Sequence, residues 1–195
     1  MTPLIPINNL PRLMREEDLD AVIHLQSTCY SSEFHEPKAA FTSKLRAAPD
    51  SCWVTPGPRG LLAYLVCLPI EGDQLPALHA PDWRKPCNPD WLYLHDLAIH
   101  PDARGMGLAS SMLLRANELA RTRKLASMGL IAVQGSVPFW RRHGFEPATA
   151  AAAQISVEKL ASFGKEATFM LRRTIAQRTG LIPIKPDSNQ SHTID

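Results

Sequence analysis

Between Trp91 and Ala109 the sequence passes from an apolar stretch through a polar, glycine-containing loop into an amphipathic helix, and no other segment constrains the chain as tightly. Trp91 to Ile99 is apolar apart from His95 and Asp96, the composition of a strand covered on both faces. Strict alternation puts Trp91, Tyr93, His95 and Leu97 on one side and turns Asp96 away from them. Pro101 and Asp102 end the strand. From Leu108 the apolar residues Leu108, Ala109, Met112, Leu113, Ala116, Leu119 and Ala120 recur with helical period, opposed by Arg115, Asn117, Glu118 and Arg121, with Leu114 as the exception. Such a helix packs on a sheet. Gly105 and Gly107 lack a Cβ, so the chain there can adopt left-handed angles and let a ligand approach the backbone closely. The unsatisfied N–H groups of the first helical turn, the positive end of the helix dipole and the Arg104 guanidinium then face an anion. The segment predicts a phosphate site.

Arg104-Gly105-Met106-Gly107-Leu108-Ala109 resembles the Arg/Gln-x-x-Gly-x-Gly/Ala signature with which the GNAT N-acetyltransferase superfamily holds the pyrophosphate of acetyl-CoA. A second block, Val137-Pro138-Phe139-Trp140-Arg141-Arg142-His143-Gly144-Phe145, is similar to the superfamily's closing Phe-Tyr-x-x-x-Gly-Phe helix and strand start. Leu94 to His100, Val137-Pro138-Phe139 and Thr168-Phe169-Met170 most resemble the arylalkylamine (serotonin) N-acetyltransferase branch. The resemblance implies an α/β (α+β) domain of the GNAT fold: a central mixed sheet splayed into a V between its two middle strands, with helices on both faces. It implies acetyl-CoA as acetyl donor, held by Leu97, Ala98 and Ile99 of the strand, by Arg104, Gly105, Met106, Gly107, Leu108, Ala109 and Ser110 of the loop and helix start, and by Phe139 and Trp140. It covers Leu10 to Thr174, so we expect an N-terminal extension at 1–9, the GNAT domain at 10–175 and a flexible tail at 176–195.

Elsewhere the chain reads as a short strand at Arg12-Leu13-Met14, an acidic helix start at Arg15 to Asp18 continuing to Cys29, a break at Ser31 to Pro37, and a second helix from Lys38 to Ala48. Ser51 to Thr55 and Gly60 to Leu68 are β-rich runs joined by the turn signal Pro56-Gly57-Pro58-Arg59. Glu71 to Asp90 is rich in proline without periodicity and reads as a surface excursion overhanging the acceptor site. Met128 to Val133 reads as a buried strand, Val137 to His143 as a short helix, and Ala167 to Thr174 as a closing strand.

A net charge of +2 with no basic stripe gives no footprint for nucleic acid or an anionic membrane. No apolar run approaches the roughly 20 residues of a membrane span, and the N-terminus lacks a leader pattern, so a cytoplasmic protein is expected. Cys29, Cys52, Cys67 and Cys87 are scattered without metal-ligand spacing, so reduced core thiols and no metal are expected.

Acyl transfer from a thioester to an amine needs a base for the amine and polarisation of the carbonyl. His95 is the candidate base: an imidazole ordinarily titrates near ~6.5, and the resemblance places it at a catalytic histidine of the arylalkylamine branch. That branch carries a second histidine where this chain has Tyr93, which could orient the imidazole, bind water or donate a proton. Trp140 stands where many members have a general-acid tyrosine, and indole has no titratable proton, so that role passes to Tyr93, His143, solvent or no group. A strand amide at Leu97 or Ala98 would polarise the carbonyl. Glu33 and Glu36 lie in the loop that borders the acceptor in relatives and could attract an ammonium group, or form a solvated acidic loop; Asp96 reads as a structural hydrogen-bond acceptor. The expected partner is a small-molecule primary amine, arylalkylamine-like, acting on a monomer or homodimer. A protein or peptide N-terminal acetyltransferase, and a non-catalytic acyl-CoA-binding module, are the alternatives.

Overall fold

The computed structural model describes residues 10–149 and 155–174; the expected extension at 1–9, the stretch 150–154 and the expected tail at 176–195 lie outside them. Seven strands, β1 (Arg12–Leu13), β2 (Cys52–Gly57), β3 (Gly60–Ile70), β4 (Trp91–Ile99), β5 (Ser127–Ala132), β6 (Glu146–Pro147) and β7 (Thr168–Arg173), form one sheet in the order β1-β2-β3-β4-β5-β7-β6. Only β4 and β5 run parallel; every other neighbouring pair is antiparallel. The parallel pair needs a long crossover, and the amphipathic helix read from the sequence supplies it.

Helices α1 (Leu19–Cys29) and α2 (Lys38–Ala47) cover one face of the sheet. Helices α3 (Leu108–Thr122) and α4 (Val137–Arg142) cover the other, and the short α5 (Val157–Ala161) precedes β7. Each face has its own core. Leu19, Val22 and Leu25 of α1 meet Phe41 and Leu45 of α2 over Val54, Tyr64, Val66 and Tyr93. Met112, Leu113 and Ala116 of α3 meet Leu65, Leu92, Leu94 and Met128. The helical period of α3 holds: Leu108, Ala109, Met112, Leu113, Ala116 and Ala120 are buried, while Leu114 is exposed.

Two expectations need correction. The proline-rich segment 71–90 has no regular structure but is not merely superficial: Leu75 and Trp83 are buried in the core on the α1–α2 face, and the Trp83 backbone N–H donates to Ser43 Oγ of α2 at 2.9 Å. Prolines hide no anchoring residue, and a tryptophan tends to bury its large apolar surface. Within this segment Cys87 is exposed, unlike buried Cys52 and Cys67. Among the described residues no helix is long and apolar enough to cross a membrane, and no group of His, Cys, Asp and Glu could hold a metal ion.

Gly129, paired with Tyr93 across the parallel seam, lies beneath the Trp91 indole; a Cβ there would stand 2.9 Å from Trp91 and from Leu171. We expect Gly129→Val to overpack this seam and to lower the stability measured by urea unfolding by about 1–3 kcal/mol.

Candidate active site

The site exists because β4 and β5 part company. They pair only from Trp91 opposite Ser127 to Leu94 opposite Leu130, although β4 continues to Ile99 and β5 to Ala132. Beyond Leu94 the β5 side of β4 has no strand, and a cavity of about 620 Å³ opens there. Its walls come from both strands, with Leu97, Ala98 and Ile99 on one and Leu130 and Ile131 on the other.

A bulge sits at the parting. Against β3, Val66 opposes Asp96 and Cys67 opposes Leu94, so His95 is an extra residue in β4. This overturns the strict alternation expected from the sequence. Trp91 and Tyr93 belong to the α1–α2 face, but after the bulge the phase reverses: Ala98 joins that face, while Leu97 and Ile99 turn to the α3 face. Asp96 therefore shares the α1–α2 face with His95 and accepts a 2.6 Å hydrogen bond from Tyr64 Oη. A residue's N–H and C=O point to the same strand edge. The Leu97 carbonyl accepts from Tyr30 Oη at 2.6 Å and the Ile99 carbonyl from Cys29 Sγ at 3.3 Å, so the amides of Leu97 and Ile99 face the slot, whereas Ala98 faces β3.

At the other end, Arg104 and Gly105 lead into α3, and both line the cavity with Gly107, Leu108, Ala109 and Ser110. Gly105 and Gly107 both have φ of +80°, and Gly107 is the N-cap of α3. Among the described residues no backbone acceptor takes the amides of Gly105, Gly107, Leu108, Ala109 or Ser110. The result is a cradle of free N–H groups at a positive helix end, suited to a phosphate. Met106 is not part of it: its N–H bonds the Ala103 carbonyl at 3.3 Å and its side chain packs on the α3 core. Phe139 and Trp140 line the wall, joined by His143, whose ring stacks edge-on against Phe139. Burial, with Arg172 and Arg142 nearby, holds the His143 imidazole below its ordinary pKa.

His95 lines the slot with its side chain 2% exposed. Its Nε2 is 2.8 Å from Glu36 Oε2, and its Nδ1 is buried without a partner. A carboxylate accepts only, so the hydrogen bond to Glu36 places a proton on Nε2 and leaves Nδ1 as the ring nitrogen with no partner in the protein. Glu36 itself is buried. Lys44 Nζ donates to both its oxygens, at 3.0 and 2.9 Å, and the His79 N–H donates to Oε1 at 3.1 Å. Burial opposes ionisation of Glu36, but the charges and hydrogen bonds of His95 and Lys44 outweigh it and hold the carboxyl down at about 2. Glu36 lines the cavity, yet both of its carboxylate oxygens are taken by protein donors. Glu33 stays outside: it is exposed, does not line the cavity, and uses its carbonyl to hold the His79 ring at 2.9 Å. Tyr93 is fully buried, does not line the cavity, and packs edge-on against both Trp91 and His95; burial raises its phenol pKa. That placement suits orienting the imidazole.

Sequence reasoning had no signal for Tyr30 or His79. For Lys44 there was one: it falls on the apolar stripe of α2 with Ala40, Phe41 and Leu45, where a lysine needs a buried partner.

The model of the acetyltransferase (GNAT) family matches residues 19–145, from the start of α1 to the residue after α4's closing turn. The chain belongs to this family. Solved structures share its fold at low identity. Ard1 from Thermoplasma volcanium is 16% identical with a TM-score of 0.63, covering 87% of this chain and 99% of its own. The ribosomal-protein-S18-alanine N-acetyltransferase of Escherichia coli is 15% identical with a TM-score of 0.58, covering 88% and 97%. GphF, a GNAT-like decarboxylase in complex with isobutyryl-CoA, is 16% identical with a TM-score of 0.62, covering 85% and 99%. No curated protein matches the chain by sequence. The GNAT fold expected from the sequence is therefore confirmed, with its mixed seven-stranded sheet and helices on both faces. Membership sets the activity at the level of acyl-CoA-dependent acyl transfer.

Within this GNAT site Asp96 is a second, half-buried carboxyl, and unlike Glu36 it has no cationic side chain paired to it among the described residues. Burial is the dominant cause, and it raises the Asp96 pKa from 3.8 to about 6 against the hydrogen bond from Tyr64. An acid with a raised folded pKa binds more protons folded than unfolded between those two values, so it lowers stability as pH rises through them. We expect Asp96→Asn, which keeps an acceptor for Tyr64, to gain thermal stability relative to the parent as pH increases. The gain should be on the order of 3 kcal/mol above about pH 7, since one pKa unit is worth ~1.4 kcal/mol, and absent near about pH 4. Melting curves across that range check it.

Proposed function

We propose that the protein is an N-acetyltransferase that moves the acetyl group of acetyl-CoA to the primary amine of a small, arylalkylamine-like acceptor, with His95 as general base. The observation that carries this reading is the buried, unpartnered Nδ1 of His95 beside the place where β4 and β5 separate. A GNAT fold also serves a decarboxylase, so chemistry is argued from the site and not from the fold.

The diphosphate of the donor sits on the free amides of Gly105 and of Gly107 to Ser110 with Arg104, and the pantetheine arm runs along the edge of β4. The Leu97 amide faces the slot and polarises the thioester carbonyl. The acceptor nitrogen, directly or through one water, supplies the missing partner of Nδ1. Its lone pair forms the N–C bond as its proton passes to Nδ1; the C–S bond then breaks, and the thiolate takes a proton from solvent. Trp140 walls the slot and offers no titratable proton.

Phe34 and Leu78 lie beside Glu36 and His79, and with Phe163 they give the acceptor end an apolar lining. Apolar walls over a single basic atom suit a small amine with an aromatic or aliphatic body. The short blocks resembling the arylalkylamine branch support the same acceptor. His79 joins the excursion to the Glu36 loop above the base, which favours a compact acceptor over a peptide.

Thiol release with acetyl-CoA across a panel of arylalkylamines, polyamines and peptides tests the reading; turnover of peptides alone, or of no amine, overturns it. His95→Gln should reduce kcat/KM by roughly 10²–10⁴-fold while leaving the affinity for acetyl-CoA measured by calorimetry unchanged. An unaltered rate removes His95 as the base. Gly107→Val, in contrast, forces a β-branched residue into a φ of +80° and blocks the cradle. It should weaken CoA binding at least tenfold, with binding unaffected as the contrary result.

A further inference from the structure

The cluster behind His95 is more elaborate than a charge pair buried for stability. Lys44, Glu36 and His95 have side chains 1%, 3% and 2% exposed and form one continuous hydrogen-bonded row. Glu36 is fixed from its backbone as well, since its N–H donates to Gln26 Oε1 at 2.9 Å and its carbonyl accepts from Gln26 Nε2 at 3.1 Å. Four separate pieces of chain therefore hold Glu36: Gln26 of α1 by its backbone, and Lys44 of α2, the His79 amide of the 71–90 segment and His95 of β4 by its carboxylate. A buried ion pair contributes little net stability compared with apolar residues of the same volume, so this degree of fixation calls for another purpose.

We propose that Glu36, kept ionised by Lys44, is a positioning residue that fixes His95 in the tautomer with its proton on Nε2 and its lone pair on Nδ1, and stabilises the imidazolium formed when Nδ1 accepts a proton. The proposal rests on the reading of His95 as the base. The orphaned Nδ1 is what such fixation leaves behind: one ring nitrogen is committed to Glu36, and the other is kept free for the reacting proton. Lys44 has a distinct task. Without it, Glu36 would be a lone buried charge prone to take up a proton, and a protonated carboxyl could donate to Nε2 and invert the tautomer. The His79 amide adds a mechanical consequence. Glu36 belongs to segment 31–37 and is bonded from segment 71–90 through His79, so the seating of these two segments sets the position of the base.

Three variants separate the possibilities: Glu36→Gln/Lys44→Met, which removes both charges of the pair while keeping their approximate volume; His95→Gln; and the triple variant. Kinetics are read by thiol release with acetyl-CoA and 2-phenylethylamine. Imidazole ¹⁵N spectra are read on histidine-labelled protein, with the His95 signals identified by their loss in His95→Gln. In the parent protein we expect His95 to show a protonated Nε2 and an unprotonated Nδ1, and in Glu36→Gln/Lys44→Met a mixed or inverted tautomer. The double variant should bind CoA as the parent does and lose about 10²-fold in kcat/KM, with the triple variant no slower than His95→Gln because both changes disable one unit. Parent-like activity or an unchanged His95 spectrum in Glu36→Gln/Lys44→Met overturns the proposal alone, and so does a triple variant slowed by the product of the separate losses. A protonated Nδ1 in the parent overturns it without any variant or acceptor. If His95→Gln keeps the parent rate, the base assignment fails and the proposal fails with it.

Discussion

One extra residue in the central strand organises the molecule. His95 has no counterpart on β3, so β4 bulges there and leaves the parallel partnership with β5 immediately after Leu94. A regular strand would have continued to pair, and the space now lined by Leu97, Ile99 and Ile131 would have been closed by ladder hydrogen bonds. The same bulge brings Asp96 onto the His95 face and sends Leu97 to the opposite core. Strand separation, free amides and the placement of two carboxyls thus trace to a single irregularity.

The two carboxyls beside His95 show how differently the fold treats similar groups. Glu36 meets a lysine, a histidine and a backbone amide, and is held ionised. Asp96 meets the hydroxyl of Tyr64 and no paired cation among the described residues, and burial moves it upward. One carboxyl is held ionised among its donors; the other keeps its proton more readily and links to Tyr64 of β3. Environment, not residue type, sets these behaviours.

The strand, glycine loop and helix between Trp91 and Thr122 were legible because every local signal agreed: an apolar run, turn residues, φ-permissive glycines and a helical period with one exception, Leu114. The same residues carried the family resemblance, and the family model covers them. Alternation failed at Asp96 and Leu97, since a bulge depends on what the neighbouring strand offers and leaves no mark in composition. Met106 matched the signature yet points away from the cradle, because its amide closes a turn onto Ala103. Glu36 was recognised as bordering the acceptor but was read as facing an ammonium group or solvent; it faces Lys44 and His95 instead.

By itself the sequence carried the order of strand, glycine loop and helix, which follows from local periodicity and turn chemistry among contiguous residues, and in those same residues the resemblance to the GNAT family. Only the tertiary structure decided which ring nitrogen of His95 is free, that Trp83 anchors an otherwise unstructured segment, and that Lys44, Glu36, His79 and His95 form one cluster. Those residues lie on four elements separated by up to 59 positions between Glu36 and His95. No local rule relates them, because buried polar groups find their partners through the packing of the whole domain.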